Sequence, residues 1–168
     1  KLKKALYGLK QAPRAWYDKL KSTLVKLGFN VTISDNSLYT RRKNENIIYI
    51  LVYVDDILIT GDDQQEIELV IKHLDNHFAI KDMGEANYFL GIQIQRQEDS
   101  SIILSQRQYM SDILVRANMN NAKAIATPMT SNHQLSKNKG ESIENVKHYR
   151  SIVGALQYAT ITRPDISF

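Results

Sequence analysis

Ile47-Ile48-Tyr49-Ile50-Leu51-Val52-Tyr53-Val54-Asp55-Asp56-Ile57-Leu58-Ile59 is the stretch on which the fold turns. Eight apolar residues run into two acids, and three apolar residues leave. β-Branched and aromatic side chains predict strand. A continuous apolar strand is normally covered on both faces. Two unpaired carboxylates buried there would be costly. They escape by protonation, by pairing with Lys or Arg, or by binding a metal ion. At the tip of a tight hairpin both acids reach one rim, and hard oxygen donors on such a rim suit Mg²⁺. Asp is also a favoured turn residue, so a solvated Asp-Asp tip stands as the competing reading.

Working outward, Ser37 to Arg42 and Ile47 to Tyr53 read as two strands joined by the polar turn Lys43-Asn44-Glu45-Asn46. Ile57 to Thr60 continues past the acids, and Gly61 ends it. Upstream, residues 12–28 read as a helix with Trp16, Leu20, Leu24 and Leu27 on one face. Pro13 suits its first turn and Gly28 its C-terminal cap. Downstream, a helix over 63–78 presents Ile67, Val70, Ile71, Leu74 and Phe78. Residues 87–96 and 101–105 read as a hairpin turning at Glu98-Asp99-Ser100. Ser105 and Gln108 have capping-box spacing, followed by a helix with Met110, Ile113, Leu114 and Ala117 on one face. Residues 118–144 carry loop signals, and a connector is expected there. A last helix over Asn145–Thr162 is expected to bury Val146, Tyr149, Ile152, Val153 and Leu156, with Pro164 ending it. The order points to an α+β sheet domain followed by a helical extension.

The chain has 168 residues, no Cys, 43% hydrophobic and 24% charged residues, and a net charge of +4. The length suits one domain with a real core. The lack of Cys excludes disulfides and thiolate zinc sites. The longest apolar run is far short of a membrane span, and no secretory signal is visible. The positive charge is concentrated in Lys1, Lys3, Lys4, Lys10 and Arg14, which is compatible with a polyanionic partner. The absence of an initial Met and the apolar end at Ile166-Ser167-Phe168 are read as cuts through a larger protein.

Tyr53-Val54-Asp55-Asp56 resembles the signature hairpin of reverse transcriptases. Lys4-Ala5-Leu6-Tyr7-Gly8-Leu9-Lys10-Gln11-Ala12-Pro13-Arg14-Ala15-Trp16-Tyr17 is similar to the block preceding that hairpin in copia-type retrotransposons. Tyr88-Phe89-Leu90-Gly91-Ile92-Gln93-Ile94, Ala126-Thr127-Pro128-Met129, Tyr149-Arg150-Ser151-Ile152-Val153-Gly154 and Thr162-Arg163-Pro164-Asp165 resemble further family blocks, in family order. The resemblance spans essentially the whole chain.

The resemblance implies a palm-like antiparallel sheet with packed helices over 1–105 and a thumb-like helical region over 106–168. It implies Asp55 and Asp56 as catalytic carboxylates holding Mg²⁺, with Mn²⁺ as a substitute. Two such ions activate a primer 3′-hydroxyl and stabilise a pyrophosphate leaving group. Lys10, Gln11 and Arg14, at a helix N-terminus that favours anions, are implied to contact nucleotide and template. Lys81 is near a family position proposed to protonate pyrophosphate, and a solvated lysine is the competing reading. Phe89, Leu90 and Gly91 resemble the hairpin that grips the primer, and core packing of Phe89 and Leu90 is compatible with that. Tyr53 sits under the primer strand or in the core. His73, His77, His133 and His148 form no convincing metal set.

The implied partners are an RNA or DNA template with its primer, deoxynucleoside triphosphates, and the rest of an element polyprotein with fingers, ribonuclease H and integrase; a membrane is not among them. The implied location is cytoplasmic, in a virus-like particle, with nuclear access and no secretion. The family's third carboxylate lies upstream of this chain, and neither Asp18 on a helix nor Asp35 in a loop replaces it. The chain alone is therefore expected not to polymerise DNA. Two other readings stay open: a non-catalytic nucleic-acid-binding remnant of a retroelement, and an unrelated structural domain with a surface Asp-Asp turn.

Overall fold

A computed structural model describes residues 8–125 and 142–167. The chain divides into two compact units, Lys1–Gly84 and Glu85–Phe168. The family resemblance places a boundary at 105; by compactness the second hairpin groups with the helices after it. No helix among the described residues is long and apolar enough to cross a membrane.

In the first unit α1 spans Ala12–Lys26 with Pro13 in its opening turn. Its C-terminal end follows from Gly28, whose φ of +84° costs glycine little. Gly28 N–H donates to the Val25 carbonyl and Phe29 N–H to the Leu24 carbonyl, both at 3.0 Å, a Schellman closure that satisfies two terminal carbonyls. Strands β1 (Asn30–Val31), β2 (Leu38–Lys43), β3 (Asn46–Tyr53) and β4 (Asp56–Gly61) form one antiparallel sheet in sequence order. The β2–β3 turn narrows to Asn44-Glu45, with Asn44 at φ +56°. Helix α2 (Gln64–His77) begins at Asp63, whose carboxylate accepts from the Gln65 and Glu66 amides.

The burial pattern of β3 corrects one expectation. Ile48, Ile50 and Val52 are buried, whereas Tyr49 and Tyr53 are exposed and Leu51 is half-buried. The strand alternates with period two. Its inward side chains join Tyr39, Phe29, Leu20 and Leu24 of α1, and Val70 and Leu74 of α2, in one cluster. Both helices thus cover one face. The other face carries the register pairs Leu51↔Leu58, Tyr49↔Thr60 and Tyr53↔Asp56.

An ion-pair cluster ties the sheet to α2. Glu66 accepts from Arg41 at 2.7 Å and from Lys43 at 2.5 Å. The Lys43 hydrogen bond is the main cause of a Glu66 carboxyl held below its ordinary value. A lowered folded-state pKa stabilises the fold above the unfolded value, near 4.3. That contribution is lost as pH falls through the folded value. Stability measured by urea titration between about pH 5 and pH 3 should therefore fall less in Glu66→Gln than in wild type.

In the second unit the expected single arm over 87–96 is two strands. β5 (Tyr88–Phe89) turns at Leu90-Gly91 into β6 (Ile92–Arg96), which pairs with β7 (Ile102–Ser105). The β6–β7 turn lies at Glu98-Asp99-Ser100 as expected, with the Asp99 carboxylate accepting from Ser101 N–H at 2.9 Å. Helix α3 spans Arg107–Arg116 without the expected capping box. Its N-cap is Gln106, which makes no side-chain cap bond. Ser105 Oγ instead donates to Gln93 Oε1 at 3.3 Å on the neighbouring strand.

Helix α4 (Val146–Ala159) is capped by Asn145, which accepts from His148 N–H. Its buried face differs from the expected one. Ala155 and Ala159 are buried with Ile113, while Val146, Tyr149, Val153 and Leu156 are exposed and Ile152 is half-buried. Small alanines let α3 approach closely, and Tyr109 and Met110 fill around them. Pro164 stands in a short 3₁₀ turn after the helix.

Candidate functional site

The acids Asp55 and Asp56 stand at the β3–β4 tip. Tyr53 pairs with Asp56, leaving Val54-Asp55 as a two-residue turn. Val54 has φ +52°. Glycine is the residue this first turn position favours, and a β-branched residue there is strained. Both acids are exposed and make no hydrogen bond or ion pair among the described residues. The burial cost that argued for a counter-ion is therefore absent, and so are the Lys or Arg partners. Asp56 lies on the sheet face opposite the helices, in register with half-exposed Tyr53.

One long-range bond holds this tip. The Trp16 indole N–H donates to the Val54 carbonyl at 3.1 Å. The indole also meets Phe78 edge-on, with centroids 5.1 Å apart. The opening of α1 is thereby tied to the carboxylate hairpin. Gln11 precedes Trp16 by five residues, about 7.5 Å along a helix. Lys10, Gln11 and Arg14 are exposed there, and Arg14 faces Asp18 at 4.0 Å.

A second two-residue turn joins β5 to β6. Leu90 and Gly91 have φ +49° and +82°, the signs that a two-residue hairpin of the primed type requires. The Tyr158 hydroxyl donates to the Leu90 carbonyl. The Tyr109 and Tyr158 rings meet edge-on at 5.2 Å. A Cβ at Gly91 would stand 3.4 Å from Tyr109 and 3.5 Å from Tyr158. Phe89 and Leu90 are half-buried, so packing and an accessible turn coexist.

The family described as reverse transcriptase (RNA-dependent DNA polymerase) matches residues 1–131. The chain belongs to this family. Its relatives include the retrovirus-related Pol polyproteins from transposons RE1 and RE2 of Arabidopsis thaliana, 48% and 46% identical over the whole chain. Another from transposon TNT 1-94 of Nicotiana tabacum is 42% identical over 99% of the chain. These are copia-type polyproteins, so the chain is a copia-type reverse transcriptase segment. It spans 11%, 12% and 13% of their lengths. No solved structure matches.

Within this reverse transcriptase segment the remaining residues distribute as follows. Tyr53 and the two acids share the hairpin, and α1 is tied to it through Trp16. Lys81 is exposed in the irregular stretch after α2. Phe89, Leu90 and Gly91 belong to the second unit. Asp35 is used locally, accepting from Ser37 N–H and Oγ at 2.8 and 2.6 Å, and Asp18 is exposed on α1. Among the described residues no group of three His, Cys, Asp or Glu could hold a metal. His73 and His77 stack at 4.6 Å, with His77 Nδ1–H donating to the His73 carbonyl. The block at residues 4–7, His133, and Ala126-Thr127-Pro128-Met129 lie outside the described residues.

Trp16 was legible only as a core residue at helical spacing. Its partner is 38 positions away, and no local pattern announces a bond of that span. The one available signal is chemical, since a partly buried indole N–H seeks an acceptor.

Proposed function

We propose that this chain is the carboxylate-hairpin segment of an RNA-directed DNA polymerase from a copia-type retrotransposon. The observation that carries the reading is the β3–β4 tip: two exposed carboxylates that bond to no described residue, on a strained turn, within a chain of this family. Asp55 and Asp56 fit as ligands for Mg²⁺ or Mn²⁺, being hard oxygen donors that are exposed and bond to no described residue. The ion, when bound, supplies charge stabilisation at the phosphates and acidifies the attacking hydroxyl.

The protein's own part is to bind and orient. Lys10 and Arg14 attract the triphosphate or template backbone, and Gln11 adds a polar contact at the opening of α1. Tyr53 presents its ring beside Asp56 beneath the primer end. Phe89, Leu90 and Gly91 support the primer strand as a tight hairpin, and Lys81 is a candidate proton donor to pyrophosphate. Residues 1–105 act as the palm-like sheet region and residues 106–168 as a thumb-like helical extension. Partners are a template–primer, deoxynucleoside triphosphates and the remainder of the polyprotein, in a cytoplasmic particle.

Two carboxylates fix a metal pair poorly, so the 168-residue chain should not incorporate nucleotides. A chain extended upstream through the family's further strand-borne aspartate should do so on a template–primer with Mg²⁺. Incorporation by the unextended chain, or none by the extended one, overturns this proposal.

A further inference from the structure

We infer that Trp16 is a positioning residue for the carboxylate hairpin: its indole N–H holds the Val54 carbonyl and so keeps the strained turn that presents Asp55 and Asp56. The inference rests on reading those two acids as metal ligands.

Val54 occupies a left-handed φ of +52°, a conformation that strains a β-branched residue. Such a conformation persists only where its surroundings enforce it. The flanking strands supply part of that force through the Tyr53↔Asp56 pair. Beyond the ladder, the described residues hold the turn through the Trp16 indole N–H, 3.1 Å from the Val54 carbonyl. The indole is itself fixed: α1 is anchored by Leu20 and Leu24 in the core, and the ring lies edge-on to Phe78. The donor therefore arrives from a packed helix with little freedom left to lose. Because the carbonyl belongs to the residue immediately before Asp55, fixing it fixes the peptide plane from which the first carboxylate projects. Tyr158 and Leu90 repeat the arrangement at the second tight turn, so an aromatic donor on the carbonyl of a left-handed residue recurs in this chain.

The test uses the full 168-residue chain. Trp16→Phe keeps a ring against Phe78 and removes the donor. Its amide hydrogen exchange at Asp56, which pairs with Tyr53 across the tip, should rise about fivefold, the worth of one net hydrogen bond, while Ile48 and Ile50 in the ladder stay unchanged. Mn²⁺ affinity, read from free Mn²⁺ by electron paramagnetic resonance, should fall by a similar factor. Adding Val54→Gly, which adopts a left-handed φ readily, should restore both. Unchanged exchange at the tip overturns the inference. So does a loss that Val54→Gly fails to restore, because that pattern means ring packing alone.

Wild-type chain that shows no Asp55-dependent Mn²⁺ binding sinks the metal reading, and the exchange arm then decides the latch separately. Should Trp16→Phe not fold, the wild-type chain decides, since it contains a single Trp. Slow solvent exchange of that one indole N–H upholds the bond, and exchange at the free-indole rate overturns it.

Discussion

Asp55→Asn is expected to lower nucleotide incorporation about a thousandfold in the upstream-extended chain, equivalent to about 4 kcal/mol of lost transition-state stabilisation. The substitution keeps the side chain's size and removes the charge that a divalent cation needs. Asp55 is exposed at a turn and bonds to no described residue, so its loss should leave the unfolding midpoint within the small range of surface changes. That separation makes the experiment informative. Template–primer binding at low salt should survive, because the proposed reading assigns it to cations such as Lys10 and Arg14 rather than to the acids. Incorporation that persists in Asp55→Asn would reduce the pair to a solvated turn. Persistent binding with no incorporation even in the wild-type extended chain would favour a non-catalytic remnant.

The second large effect concerns the core beneath that hairpin. Ile50→Ala should destabilise the chain by about 2–5 kcal/mol in urea or thermal unfolding. Ile50 is completely buried and lies in register between Tyr39 and Ile59. α1 and α2 cover it from above through Leu20, Leu24, Val70 and Leu74, so the cavity cannot readily collapse. A loss of this size is a large share of a stability of about 5–15 kcal/mol. Tyr49→Ala, one residue away on the opposite face and 38% exposed, should cost about 1 kcal/mol or less. Equal losses at the two positions would mean that both faces of the sheet are covered.

Elements whose signals are local were readable. Gly28 announced the end of α1 because a left-handed position after a helix favours glycine, and Asp63 opens α2 as part of the expected 63–78 segment. The two strands around Asp55-Asp56 followed from β-branched runs of strand length. What the sequence concealed depends on partners far along the chain. Leu90 reads as one more apolar strand residue, yet it turns the chain with φ +49° because Tyr158 holds its carbonyl. Ser105 has the spacing of a cap, but Gln93 across the strand pair claims its hydroxyl. On α4 the larger side chains suggested the buried face, whereas Ala155 and Ala159 make the close helix contact. For the site, the position of the two acids at a hairpin tip was legible. Their exposure was legible only as one of two readings, because an apolar run gives no indication of which of its faces a helix will cover.

The sheet order β1-β2-β3-β4 also bears on how the segment is made. Each strand hydrogen-bonds only to its neighbours in the chain, and α1 and α2 flank the four strands directly in sequence. Such local closure lowers the entropic barrier to folding. Its relatives carry this segment within far longer polyproteins, and chains fold domain by domain as they emerge from the ribosome. The carboxylate hairpin is thus expected to be formed, with its strained turn already set, as soon as α2 has emerged from the ribosome and before α3 and α4 have done so.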